Sequence, residues 1–247
     1  MKLLYLIPGR MRDSALGAAE MERRRAILQS CAFPGTTVDV ADTQNGPASI
    51  ESICEEYESI PGTVERAVRA QEEGYDGIIL GCYADPGIDA LREMLTIPVA
   101  GPFESSCFTA LTLGHRFSIV TVTPDMCPVL EDEFEQKGGA GRRLASVRAI
   151  DVDVLEIGNN PELLREKTFA AVERCIREDG ADTVALGCIS LAFAGMDREI
   201  EERFGIPCVN PILTALKQCE GMVHTGLSHS KRAYALPRKL RKGGNPA

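Results

Sequence analysis

An internal repeat with a cysteine at the end of each copy limits the folds open to this chain. Residues 74–82 read GYDGIILGC and residues 180–188 read GADTVALGC, with Gly, Asp, Leu, Gly and Cys at matching places. Each copy follows an amphipathic stretch. Each precedes a second such stretch and then an Ile-Pro pair, at residues 97–98 and 206–207. The repeat indicates two equivalent units, each with one buried strand between helices.

Short apolar runs alternate with longer amphipathic stretches along the chain, which is typical of βαβ units and a parallel sheet. Several runs are apolar throughout, as expected where helices cover both faces of a sheet. The predicted strands are Lys2–Ile7, Thr37–Ala41, Gly77–Leu80, Val99–Ala100, Phe117–Thr121, Ser146–Ala149, Thr183–Leu186 and Cys208–Val209. Helices are predicted at roughly 13–30, 61–73, 87–95, 104–113, 125–137, 161–179, 195–204 and 211–223. The predicted fold class is α/β.

The cysteine of each repeat, Cys82 or Cys188, comes directly after a predicted strand. In open parallel sheets, ligands bind outside the carboxyl ends of the strands, so both cysteines are expected at that edge. The preceding glycine permits a tight turn. A helix N-terminus after each cysteine would favour the thiolate and lower the pKa of the thiol. If the two units pack as a pseudo-twofold pair, both sulfurs face one cleft from opposite sides.

Two opposed thiols suit the inversion of a stereocentre next to a carbonyl, which needs a base on one face and an acid on the other. A thiol with a pKa of about 8.5, lowered modestly, can serve in either role. The main-chain amides after Cys82 and Cys188 are candidates to hold the negative oxygen of the intermediate. The alternative is that both cysteines are buried structural remnants of a duplicated fold.

Composition and charge exclude several classes of function. Of the 247 residues, 44% are hydrophobic and 26% are charged, which indicates a soluble globular protein. The net charge of -9 argues against a nucleic-acid partner, which normally requires a basic face. No apolar run reaches the ~18 residues that span a membrane. No export signal is recognised, so no membrane partner and a cytoplasmic location are predicted.

For the other cysteines, the histidines, Asp85 and the basic end of the chain, the sequence predicts structural roles. The nine cysteines are scattered without a Cys-x-x-Cys pair, which is typical of free thiols in a reducing compartment. His115, His224 and His229 lie far apart with no carboxylate cluster, so no metal site is predicted. His229 is expected in a solvent-facing loop, Asp85 as a turn or N-cap residue before the next helix, and residues 231–242 as a solvated basic tail.

Several segments resemble the hydantoin racemase branch of the aspartate/glutamate racemase superfamily. The most specific is GCYADPGIDA at residues 81–90, which is similar to the family's Cys-Phe-Gly-Asp-Pro-Gly-Leu stretch. Further similar segments are GPASIES at 46–52, RFSIVTVT at 116–123, LGC at 186–188 and GLSHSKR at 226–232. The resemblance extends over nearly the whole chain.

The resemblance implies a fold, a site and an assembly. It implies two flavodoxin-like lobes with parallel sheets related by pseudo-twofold symmetry, an active site in the cleft between them, no cofactor and a homo-oligomer. The expected first lobe is residues 1–100 plus 209–247, carrying Cys82, and the expected second lobe is residues 101–208, carrying Cys188.

The resemblance also assigns candidate site residues. The two family cysteines fall on Cys82 and Cys188, as the catalytic pair. The predicted substrate-binding residues are Ser49, Tyr83, Thr121, Thr123 and Ile189. The alternatives are that Ser49 is a helix cap and that the two threonines are ordinary strand residues.

The chain departs from the family pattern at two places. Its first strand ends in Ile7-Pro8-Gly9-Arg10, where relatives commonly have Asn-Pro-Asn, so expected side-chain donors are missing. Ile189 follows Cys188 where relatives more often have a small residue, and it would narrow the pocket. Both changes leave the thiol chemistry intact and leave the substrate open.

The predicted function is a cofactor-independent racemase or epimerase acting on a small molecule with an acidic C–H next to a carbonyl, such as a hydantoin or a related cyclic ureide like allantoin. One alternative is an acidic amino-acid racemase or a related decarboxylase or isomerase of the same superfamily. Retention of both cysteines disfavours the decarboxylase. The other alternative is a non-catalytic ligand-binding protein on this scaffold.

Overall fold

The computed structural model describes residues 1–137 and 141–240, and within them the strands form two four-stranded parallel sheets. The first sheet has the order β2-β1-β3-β4 and the second the order β6-β5-β7-β8, so the same topology occurs twice. The strands are β1 (Lys2–Ile7), β2 (Thr37–Asp42), β3 (Gly77–Leu80), β4 (Val99–Ala100), β5 (Phe117–Thr121), β6 (Leu144–Ala149), β7 (Thr183–Leu186) and β8 (Cys208–Val209).

Helices cover the two sheets. They are α1 (Gly17–Cys31), α2 (Ile53–Glu72), α3 (Ile88–Met94), α4 (Pro102–Leu113), α5 (Met126–Gln136), α6 (Pro161–Arg177), α7 (Ile189–Phe193), α8 (Met196–Phe204) and α9 (Pro211–Thr225). Single 3-10 turns occur at Met11–Asp13, Gly141–Arg143, Val154–Glu156 and Arg238–Leu240. Among the described residues, every helix is too short or too polar to span a lipid bilayer.

Alternate residues of each central strand enter different hydrophobic cores, because successive side chains of a strand point to opposite faces. In β1, Leu3 and Tyr5 join a central core, whereas Leu4 joins an outer core with α2 and α3. In β7, Ala185 joins the same central core and Val184 joins the outer core of the second sheet. The central core therefore belongs to both lobes and holds them together.

Helices α4 and α9 pack against each other in the central core. Helix α9 also packs on β3 and β4 of the first sheet, although it follows the last strand of the second. Its buried Glu220 accepts the Phe33 N–H, at 2.7 Å, from the loop after α1. Helix α4 packs on β7 and β8. The lobe boundaries at 100/101 and 208/209 stay a prediction.

Helix α2 begins eight residues before its predicted start at residue 61. The Ser52 hydroxyl caps it by accepting the Glu55 N–H at 3.3 Å, and Pro61 lies inside the helix. A proline removes one helical hydrogen bond, but the buried face formed by residues 59, 63, 67 and 70 continues through it. Tertiary packing therefore outweighs the local cost of the proline. The short helix α7 was also not predicted, and Gly195, with φ of 78°, separates it from α8.

The solvent-facing position predicted for His229 is wrong. Its Nε2 accepts the Val99 N–H of β4 at 2.8 Å, and the ring is partly buried. Burial and the nearby Arg92 charge lower the pKa of His229 to about 4. Lys231, at the start of the predicted basic tail, donates to main-chain carbonyls at the end of α3, including that of Leu95. Residues 241 and 242 of that tail lie outside the described residues.

Candidate active site

The carboxyl ends of β1, β3, β5 and β7 border one cavity of about 730 Å³, counted to its open mouth. The strand ends contribute Ile7 and Pro8, Gly81 and Cys82, Thr121 and Val122, and Gly187 and Cys188. The structure thus brings both repeat cysteines to the same cavity, at the edge of the sheets where ligands bind in this type of fold.

The glycine before each cysteine is needed for close approach between strands. The Gly81 N–H donates to the Leu6 carbonyl at 2.8 Å, and the Gly187 N–H donates to the Val120 carbonyl at 2.7 Å. A Cβ on Gly81 would lie 2.9 Å from the Leu6 oxygen, and one on Gly187 would lie 2.6 Å from an Ile119 methyl. The same constraint therefore places each cysteine at the same point beyond its strand.

The two cysteines have different surroundings. Cys188 is the N-cap residue of α7, and the N–H groups of Ser190 and Leu191 face its sulfur. Cys82 lies in a turn, and α3 begins only at Ile88, so the predicted helix N-terminus is absent there. At Cys82, the N–H group of Ala84 faces the sulfur instead. The prediction of a helix N-terminus after each cysteine is therefore wrong for Cys82.

The predicted lowering of both thiol pKa values is also wrong. Burial raises the pKa of Cys82, and the charges of Glu56, Cys188 and Asp85 add to the rise. Burial likewise raises the pKa of Cys188, against the opposing effects of its neighbouring N–H groups and Arg24. Desolvation disfavours the charged form of any group, and here it outweighs the local donors. At a given pH, a smaller fraction of each cysteine is therefore ionised than in a free cysteine, but the thiolate that forms is a stronger base.

Two hydroxyl residues predicted to bind substrate lie at the cavity wall. The Ser49 hydroxyl donates to Glu51 Oε1 at 2.9 Å within its own loop, so Ser49 is not a cap of α2. The Thr121 hydroxyl donates to the Gly187 carbonyl at 3.1 Å and so ties β5 to the loop that carries Cys188. Ile189 also lines the cavity.

Tyr83 borders the cavity, but its hydroxyl makes its contacts in the central core instead. The ring packs edge-on against Phe103 at 5.5 Å, and the hydroxyl accepts from Ser106 at 3.4 Å in the central core. Thr123 is not among the residues that line the cavity, and its hydroxyl is buried without a hydrogen-bond partner within the described residues. The structure therefore does not support a substrate contact for Thr123.

Asp85 lies in the turn before α3, as predicted, but it is not the N-cap of that helix. Gly87 is the N-cap of α3, whereas the Asp85 carboxylate accepts the Phe103 and Glu104 N–H groups, at 3.0 and 3.1 Å. It therefore caps α4, whose own N-cap is Gly101. Burial raises the pKa of Asp85 to about 8.

No group of three or more His, Cys, Asp or Glu side chains is placed to hold a metal ion in the part of the chain that the structure describes. The cavity instead offers two thiols on its wall, main-chain amides beside them and a largely apolar lining. This arrangement can exchange protons with a small bound molecule.

Comparisons with known proteins identify the family. Residues 17–219 match the family model described as Asp/Glu/Hydantoin racemase. The chain belongs to this family. It is 36% identical over 213 residues to a hydantoin racemase of Pseudomonas sp. (strain NS671), covering 85% of this chain and 84% of that protein.

Solved structures of family members show the same fold. The racemase chain matches an allantoin racemase from Pseudomonas fluorescens with a TM-score of 0.88 and 33% identity, covering 99% of this chain and 100% of the other. An allantoin racemase from Klebsiella pneumoniae matches with a TM-score of 0.88 and 29% identity, covering 99% of this chain and 96% of the other. The predicted family, the two-lobed α/β fold and the assignment as an isomerase of the racemase type are confirmed.

The segment in which this racemase departs from its family supports a loop beside the cavity. Gly9, with φ of 121°, lies so close to the Pro47 carbonyl that a Cβ would be 2.5 Å from its oxygen. The Arg10 N–H donates to the same oxygen at 2.9 Å, and Arg10 Nε donates to the Gly46 carbonyl at 3.0 Å. The segment therefore positions the loop that carries Ser49.

Sequence reasoning missed two features of the racemase cavity. The first is its apolar wall, formed largely by Met11, Leu16, Ile50, Val122, Met126 and Leu130. The second is Arg24, which lines the cavity from α1 and is only 2% exposed. Arg24 is the middle of three consecutive arginines, and nothing in that run distinguishes the one that turns inward.

Proposed function

We propose that this family member is a cofactor-independent racemase that inverts a stereocentre next to a carbonyl by proton transfer between Cys82 and Cys188. One observation carries the proposal: cysteines from equivalent places of a duplicated unit line a single cavity. One cysteine, as thiolate, removes the proton from the stereocentre and becomes a thiol. The other, as thiol, gives its proton to the opposite face and becomes a thiolate. The reverse reaction uses the same steps in the opposite order.

The intermediate carries negative charge on its carbonyl oxygen, and hydrogen-bond donors must hold that charge. The main-chain N–H groups of Tyr83 and Ile189 follow the two cysteines directly and are the candidates. The largely apolar wall lowers the local polarity, which strengthens such hydrogen bonds. Because burial raises both thiol pKa values, the thiolate is a strong base towards a weakly acidic C–H.

We propose a hydantoin with an apolar substituent on the stereocentre as substrate. The ring supplies a carbonyl next to an acidic C–H, and the apolar wall, including Val122, Met126 and Leu130, suits an alkyl or aryl substituent. The similarity to a hydantoin racemase supports this choice. Allantoin is the second candidate, supported by the TM-score of 0.88 to two allantoin racemases. Its polar ureido group fits this wall less well.

Single-cysteine variants test the mechanism. In Cys82→Ser and Cys188→Ser, racemisation of a 5-alkylhydantoin should fall by about 100-fold or more, since each variant lacks either the acid or the base. In deuterium oxide, each variant should still exchange the proton of one enantiomer, and the two variants should exchange opposite enantiomers. Polarimetry and loss of the proton NMR signal measure the two effects.

The exposed Cys54 provides the matched control. Cys54→Ser should racemise at the rate of the unmodified protein. An undiminished rate in either Cys82→Ser or Cys188→Ser removes that cysteine from the mechanism. The same NMR measurement with allantoin in place of the hydantoin distinguishes the two candidate substrates.

We also propose a homo-oligomer in the cytoplasm, as the family resemblance implies. The exposed apolar side chains Phe108 and Leu113 on α4 are a surface that such an assembly would cover. Sedimentation of the purified protein gives its mass in solution, and the mass of a single chain, 26.7 kDa, would contradict the assembly. Fractionation of cells that express the protein tests the location.

A further inference from the structure

Arg24 reaches from α1 of the first lobe to the segment that carries Cys188. Its Nη2 donates to Ser190 Oγ at 3.2 Å, across 166 residues of chain, and its Nε donates to Glu20 Oε1 at 2.9 Å. The guanidinium also lies over the Phe193 ring of α7, at 4.8 Å from its centre. A buried cation requires partners of this kind, and here they fix its orientation.

Arg24 stays charged in this position. Burial by itself lowers the pKa of a guanidinium, but Tyr5 and Glu20 outweigh burial and raise the pKa of Arg24. A permanent positive charge therefore lies at the cavity wall near Cys188. Arg23, the preceding residue, also binds Glu20 but donates to the Phe193 carbonyl instead of Ser190, and its side chain is 48% exposed.

The contact with Arg24 determines what the Ser190 hydroxyl can do. A hydroxyl has one hydrogen to donate and an oxygen that accepts. Because Arg24 donates to the oxygen, the hydroxyl must donate elsewhere, and the Cys188 sulfur faces it. When Cys188 loses its proton, the hydroxyl and the N–H groups of Ser190 and Leu191 can all donate to the thiolate.

Within the residues that the structure describes, Cys82 has no comparable group of donors. The Ala84 N–H faces its sulfur, whereas Glu56 of α2 and Asp85 of the following turn oppose the loss of the Cys82 proton once they are ionised, and burial raises their own pKa values to about 7 and about 8. Tyr5 of β1 lies beside it as well. The groups that face Cys188 are Arg24, with Glu20 behind it, and Cys82 itself. The two thiols are therefore not equivalent, although the strands and glycines before them are.

We propose that Arg24 is a positioning residue that acts through Ser190 to make Cys188 the first of the two thiols to lose its proton. The free enzyme with Cys188 as thiolate and Cys82 as thiol then predominates over the reverse form. One enantiomer of the substrate meets the enzyme form that it requires, and the other must await transfer of the proton between the thiols. This inference rests on the proposed two-thiol mechanism.

Alkylation of the resting protein tests the inference without substrate. Iodoacetamide reacts with the thiolate, so the rate at each cysteine, measured by peptide mass spectrometry between about pH 7 and 12, follows its ionisation. In the unmodified protein, Cys188 should show the lower midpoint. In Ser190→Ala and Arg24→Gln, its midpoint should rise by about one pH unit, which slows alkylation about tenfold below the midpoint. Only in these two variants should the Cys82 midpoint be equal to or lower than that of Cys188.

Two further variants separate positioning from general damage to the fold. Arg24→Lys keeps the charge and should restore part of the Cys188 shift, while Arg23→Gln removes a neighbouring arginine from Glu20 and should leave the Cys188 midpoint unchanged. Equal shifts in Arg23→Gln and Arg24→Gln would overturn the role of Arg24.

A Cys188 midpoint at or above that of Cys82 in the unmodified protein, or an unshifted midpoint in folded Ser190→Ala, would overturn the inference. If the reagent reaches neither thiol, the thiolate ultraviolet absorbance lost in Cys188→Ser and in Cys82→Ser gives the same two midpoints. Because no substrate is present, these results are independent of the racemisation assays, so the two-thiol mechanism and the role of Arg24 can fail separately.

Discussion

Replacement of Asp85 by alanine should destabilise the protein strongly, although Asp85 makes no proposed contact with substrate. Its side chain lies three residues after Cys82 and is 2% exposed. Both carboxylate oxygens accept main-chain N–H groups of the first turn of α4, from Phe103 and Glu104. Gly101, the N-cap of α4, cannot supply a side-chain cap, and a Cβ there would collide with the Asp85 carboxylate.

The expected loss can be estimated from these contacts. A buried N–H left without an acceptor costs about 1–3 kcal/mol, and Asp85→Ala leaves two. Asp85 also has a φ of 52°, a conformation that costs alanine about 1 kcal/mol. The free energy of unfolding should therefore fall by about 3–7 kcal/mol. Asp85→Asn keeps one acceptor and tolerates the positive φ, so its loss should be about 1–2 kcal/mol.

Urea denaturation followed by circular dichroism measures both variants at about pH 9, above the Asp85 pKa of about 8, where its side chain is a carboxylate. The exposed Asp89 of α3 provides the matched control, and Asp89→Ala should change the free energy of unfolding by no more than about 0.5 kcal/mol. A loss below about 1 kcal/mol in Asp85→Ala, with an unchanged denaturant slope, would refute the reasoning that the carboxylate replaces the missing cap of α4.

Three further predictions follow from the same structure. Because burial raises the pKa of both cavity thiols, the racemisation rate should increase as the pH rises from neutral to alkaline, and a rate that peaks below neutral pH would contradict this. The pKa of His229 is lowered from 6.5 to about 4, so the folded state binds fewer protons than the unfolded state between these values, and stability should fall as the pH falls through this window. In His229→Gln, which can still accept the Val99 N–H, the slope of unfolding free energy against pH should be smaller. Gly87→Ala should cost about 2–4 kcal/mol in urea denaturation, since φ is 67° and the new Cβ would lie 2.8 Å from Ile60. Gly74→Ala, with φ of 82° and open space around it, should cost only about 1 kcal/mol, and equal losses would rule out the Ile60 contact.

Some features of the fold could be predicted because they depend on neighbouring residues in the chain. Six of the eight strands have the predicted bounds, since each is a short apolar run ended by glycine, proline or a polar residue. The start of helix α2 could not be predicted in this way, because Pro61 is a local stop signal. Only the packing of the helix's buried face overrides that signal. The cap that Asp85 provides for α4 was missed for a similar reason, since it joins two segments that no local pattern connects.

The sequence by itself determined the duplicated unit, its parallel strands and the place of a Gly-Cys pair after each of two strands, because periodicity and glycine requirements are local properties of the chain. The tertiary structure decided what surrounds each sulfur. The raised thiol pKa values, the apolar wall and the Arg24 contact with Ser190 all depend on groups that are distant in sequence. Desolvation and charge act through space, so two similar sequence copies acquire unequal thiols.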